Sequence, residues 1–107
     1  MFPVSQTILQ QLGGNRFIAM TGADQFKSSE NSLAFRLRAR NKLSCNWVTV
    51  VLEASDTYIV LFSRIAVRKD ASGIRRPQLT TKKIIEGLYC DQLQDIFTRE
   101  TGLYTHL

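Results

Sequence analysis

Cysteine is scarce in this chain: only Cys45 and Cys90 occur in 107 residues. That excludes the disulfide-dense secreted scaffolds, which staple an undersized core with several bridges. Histidine is scarcer, His106 being the single one. Any Ser-His-Asp or Cys-His arrangement would depend on that residue at a chain end, where positioning is poor. A structural zinc site wants four Cys or His ligands, and the chain offers three. Six glycines and two prolines exclude collagen-like and Gly/Pro-rich low-complexity character. No apolar run approaches the ~18–20 residues of a membrane-spanning helix. The first residues lack the basic and long apolar regions of a signal peptide. Walker A, GxGxxG and HExxH strings are absent. Together these gaps point to a cytoplasmic protein with reduced thiols and no catalytic residue, metal, cofactor or membrane partner.

What is present is an ordinary globular mixture. A chain 44% hydrophobic and 21% charged has enough apolar content for one core, so residues 1–107 are read as a single domain. Charge is unevenly spread. Residues 36–83 hold eleven basic side chains against three acidic ones, whereas residues 84–107 hold one against four. A basic middle attracts phosphates or acidic protein surfaces.

Ser5 is placed to cap a helix over residues 5–12, with Ile8, Leu9 and Leu12 as its buried stripe and Gly13-Gly14 as its stop. Residues 16–21 read as a first strand and the polar stretch 23–31 as a loop. Residues 33–40 alternate Leu33, Phe35 and Leu37 with Ala34, Arg36, Arg38 and Arg40, the period of a half-buried strand. Residues 47–53 and 58–65 form two more strands joined across a hairpin, and 68–81 reads as a flexible loop. A second helix starts near Tyr89, buries Leu93, Ile96 and Phe97, and stops at Gly102. Asp91 and Asp95, four apart on its face, have spacing that suits Mg²⁺, but acids near a helix start are expected as solvated partners of the dipole. The expected fold is α+β: a two-layer sandwich of a four-stranded antiparallel meander with an N-terminal and a C-terminal helix on one face.

Two surfaces follow. Arg36, Arg38 and Arg40 on one side of a strand would be spaced ~6.6–6.8 Å apart, matching phosphates along an extended backbone. Lys42 and the loop cations Arg68, Lys69, Arg75 and Arg76 extend that ladder, and Trp47 offers a stacking surface for a base. DNA or RNA is therefore the first partner expected. The second surface arises because the central strands are apolar on both faces. Val51, Ile59 and Leu61 would form an aliphatic patch facing away from the helices and rimmed by arginines, which with Trp47 would suit a host protein or a second copy in a homodimer.

The strings ILQQLGGNRFIAMTGA (residues 8–23) and EGLYCDQLQDIFTRETGLYT (residues 86–105) resemble a family of small uncharacterised proteins from bacterial prophages and other mobile elements. The resemblance implies an accessory role, either handling nucleic acid or blocking a host defence enzyme in the manner of an anti-CRISPR inhibitor. It carries over no catalytic or binding residue. The basic run 36–42 and the inserted-looking segment 68–81 set this chain apart from that pattern.

Overall fold

The computed structural model describes residues 2–38 and 40–103. Pro3 opens helix α1 (Pro3–Leu12), a position where its missing N–H costs nothing. The helix therefore starts before Ser5 and needs no cap from it. Ser5 is instead fully buried, its Oγ 2.6 Å from the Ser32 carbonyl, which ties the helix to the sheet. Gly13 and Gly14, both at positive φ, end α1 as expected, and the Gly14 N–H donates back to the Leu9 carbonyl at 2.9 Å.

Residues 16–21 are not a strand. They lie in a second short helix, α2 (Asn15–Thr21), which buries Phe17 and Thr21 four apart and ends on Gly22 in the left-handed conformation. The polar stretch after it is not a loop. It forms β1 (Asp24–Ser29), which pairs with β2 (Ser32–Arg36) through the two-residue connection Glu30-Asn31. β3 (Trp47–Leu52), β4 (Tyr58–Lys69) and β5 (Arg75–Leu88) complete the sheet. All neighbours are antiparallel in the order β1-β2-β3-β4-β5. The protein is α+β with an antiparallel meander, as expected, but the sheet has five strands rather than four. A 3-10 turn (Cys90–Gln92) leads into α3 (Leu93–Thr101), which stops at Gly102 in the left-handed region.

The core lies between the helices and one face of the sheet. Phe17 stands at its centre, edge-on to Phe35 at 5.2 Å and to Phe97 at 5.1 Å between ring centroids. Val48, Val50, Val60 and Phe62 supply the sheet side, while Ile8, Leu12, Leu93 and Ile96 supply the helix side. Gln94 of α3 donates to the Leu12 carbonyl at 3.1 Å, joining the first and last helices. No helix among the described residues is long and apolar enough to cross a membrane.

Candidate nucleic-acid interface

β4 and β5 outrun the rest of the sheet. β3 reaches only to Trp47, opposite Ser63. Beyond that point six pairs, from Arg64↔Thr80 to Lys69↔Arg75, continue as a two-stranded ribbon. At ~3.3 Å per residue it projects roughly 20 Å from the body. The segment read as a flexible loop is thus an ordered arm. Asn46 anchors its root: Oδ1 accepts the Ile65 N–H at 2.7 Å and Nδ2 donates to the Ile65 carbonyl at 2.8 Å. This side chain acts as one more residue of β3. Asp70 organises the tip, where Oδ1 accepts from the Ser72 hydroxyl at 2.7 Å and from the Ser72 and Ile74 N–H groups at 2.9 and 3.0 Å. Gly73 takes the positive φ that closes the turn. These bonds, with Ser72 foremost and then Ile74, hold the Asp70 carboxyl below its ordinary value of 3.8.

Cross-strand partners share a face of a sheet, so the register sorts the arm's side chains. Arg64, Ala66 and Arg68 lie with Thr80, Gln78 and Arg76 on the helix side. Ile65, Val67 and Lys69 lie with Leu79, Pro77 and Arg75 on the opposite, outer side. One face of the arm is basic and polar; the other is apolar with a basic tip. Lys82 sits in the bulge at the root, and Lys83 turns toward α3, 2.9 Å from Glu100.

The expected ladder on residues 33–40 does not form. β2 ends at Arg36; one further bond in the same register, from the Leu37 N–H to the Asn46 carbonyl, follows before the chain leaves the sheet. Arg36 remains on the outer face, in a recess of about 240 Å³ with Trp47 and Ile65. Arg38 is ion-paired with Asp24 at 2.5 Å. Arg38 and Arg40 line a different recess, of about 380 Å³, with Ser44, Asn46 and Arg64. Arg36 and Arg38 therefore line different recesses. Lys42 lies against Gly102, its Cγ and Cε within 3.2 Å of where a Cβ would stand there, and its N–H donates to the Thr101 carbonyl.

What the fold brings together instead is a stripe of arginines on the helix side. Arg38, Arg40 and Arg64 surround the root recess, where Arg64 donates to the Ser44 carbonyl at 3.1 Å. Arg68 and Arg76 continue along the arm, Arg76 standing 3.1 Å from Asp70. Arg64 was not among the sequence candidates, although its spacing of four from Arg68 places both on one face of a strand.

Trp47, Val51, Ile59 and Leu61 do share one face, away from the helices. All four are half-buried. The apolar surface runs on along the arm, where Val67 is 62% and Leu79 60% exposed, and Ile84 beside Leu61 is 52% exposed. Nothing among residues 66–86 folds back to cover it.

The two thiols differ. Burial pushes the Cys45 thiol up, against hydrogen bonds from its own backbone and from Asn41, while Cys90 is exposed. Burial also raises Tyr58, the nearby Cys90 adding to the effect. Asp91 lies in the 3-10 turn and Asp95 in the first turn of α3, both exposed. His106 lies outside the described residues. Comparison with known protein families, with curated proteins and with solved structures finds no match for the chain.

Proposed function

We propose that the protein acts by binding rather than catalysis, as an accessory protein of a phage or mobile element that grips double-stranded DNA with its β4–β5 arm. The observation that carries this reading is the arm itself, a projecting two-stranded ribbon with Arg64, Arg68 and Arg76 on one face. A B-form major groove, ~12 Å wide, admits a two-stranded ribbon, whereas the major groove of A-form RNA is too deep and narrow. Gln78 and Thr80 lie among those arginines and supply groups that hydrogen-bond base edges or phosphates. Arg38 and Arg40 at the root meet the flanking backbone. Trp47 lies on the opposite face from the stripe, which favours groove binding over stacking on a single strand.

Five arginines meeting five phosphates correspond to a salt slope of about −4.5, or a loss of about 500-fold in affinity over a fourfold rise in salt. Titration of labelled DNA duplex, RNA duplex and single strand across that range tests the proposal. The expected order is DNA duplex tightest, with Arg68→Ala/Arg76→Ala lowering the slope by about 2. Absence of DNA binding at low salt, or a slope unmoved by the double variant, overturns it. The alternative, an inhibitor of a host protein, would use the outer apolar face.

A further inference from the structure

The outer face of the sheet is electrically divided along the strand direction. Its arm end carries Lys69 and Arg75, cross-strand partners at the tip. Its other end, where the β3–β4 hairpin turns, has a recess of about 500 Å³ in which Glu53 and Glu86 flank Ile59. Between the two ends the surface is mostly apolar, with Leu61 and Ile84, then Ile65, then Val67 and Leu79, and Arg36 stands at its β2 margin beside Trp47 and Ile65. Such a face has an apolar centre and opposite charges at its two ends, which is self-complementary under one operation. A two-fold axis in the plane of the face, perpendicular to the strands, lays one copy on another with strand direction reversed.

We infer that a second copy of this chain covers this face, in an antiparallel sheet-on-sheet dimer. The axis passes near Arg64 of β4. Leu61 of one copy then meets the partner's Val67, and the Lys69–Arg75 tip of each arm reaches the Glu53–Glu86 recess of the other. Aligned sheets pack this way at ~10 Å with strand directions within about 30°. Edge-to-edge pairing of two β5 strands is disfavoured, because it would set two arms of like charge side by side and β5 carries Pro77 and Lys82 as edge blocks. The dimer leaves the Arg64–Arg68–Arg76 face turned outward, so it does not depend on DNA and does not compete with it.

The test is the solution mass of the full chain without nucleic acid, by light scattering and sedimentation across the micromolar range. Wild type is expected to be a dimer. Lys69→Glu/Arg75→Glu and Glu53→Lys/Glu86→Lys, all at exposed sites, are each expected to be folded monomers by circular dichroism. Mixed in equal amounts they are expected to form a heterodimer, since both contact sites regain opposite charges. A separate variant, Val67→Glu/Leu79→Glu, should be monomeric and remain so in the mixture. A monomeric wild type, charge-reversed variants that stay dimeric, or a mixture that fails to associate would each overturn the inference.

Discussion

Asn46 decides whether the arm is a rigid probe or a loose hairpin, and its removal is the sharpest perturbation of the structure. Its amide makes two hydrogen bonds to the Ile65 backbone, at 2.7 and 2.8 Å, at the point where β3 no longer supports β4. Each is part-buried, and a hydrogen bond of that kind contributes about 0.5–1.5 kcal/mol net. Asn46→Ala should therefore destabilise the root by about 1–3 kcal/mol. Hydrogen exchange at the Ile65 amide, which reads local opening, should accelerate about 5- to 150-fold. Asn46→Asp keeps the acceptor for the Ile65 N–H but loses the donor, and should fall between. The core residues Val48 and Val50 should keep their protection, because the clamp lies at the sheet's edge and not within the core. Unchanged exchange at Ile65, or equal acceleration at Val50, would refute the clamp. If the arm grips DNA, the same variant should weaken binding without altering the salt slope, since no phosphate contact is removed.

Other expectations concern the core, the thiols and the tip. Phe17→Ala should cost about 3–5 kcal/mol by urea unfolding, from a total of about 5–15 kcal/mol for a chain of this length; a loss under 1 kcal/mol would mean that α2 is not docked on Phe35 and Phe97. A thiol reagent should label Cys90 rapidly and Cys45 only after denaturation, with peptide mapping as the readout; early labelling of Cys45 would contradict its burial. Asp70 has a lowered folded-state pKa, so its contribution to the turn is present above 3.8 and lost as pH falls through the lower folded value. The Ser72 and Ile74 amide shifts should thus titrate with a midpoint below 3.8, and a midpoint at or above that value would show that the turn bonds do not form.

The elements legible in the sequence are those whose burial pattern is long enough to have a period. Ile8 and Leu12 before Gly13, the alternation in 47–52 and 58–62, and Leu93, Ile96 and Phe97 before Gly102 all fall where their spacing places them. α2 was not legible as a helix because seven residues bury only Phe17 and Thr21, too few to separate period 3.6 from period two. β1 reads as a loop because its residues, Asp24 to Ser29, are mostly polar; it is an edge strand, held by pairing with β2 and by Phe26 against Phe35. β5 has almost no buried side chain until Leu88, so its extension comes from pairing with β4, a non-local cause. The fifth strand follows from those two pairings.

The two surfaces were legible to different depths for the same reason. Alternation sorts Trp47 and Val51, or Ile59 and Leu61, onto a face, but cannot say where a strand ends. Arg36, Arg38 and Arg40 alternate correctly in sequence, yet the chain leaves the sheet after Arg36 and that periodicity no longer has a sheet to refer to. In the arm, by contrast, alternation persists where there is no core to explain it. Arg64, Ala66 and Arg68 interleave with Ile65, Val67 and Lys69, although no helix packs on either side there among the described residues. A segment selected only to remain soluble would be polar on both faces. Val67 and Leu79, 62% and 60% exposed, each forgo about 1–2 kcal/mol of burial. That cost is recovered if the apolar side closes against another copy, and the arginine-bearing reverse side is then the face of the arm left to meet a polyanion.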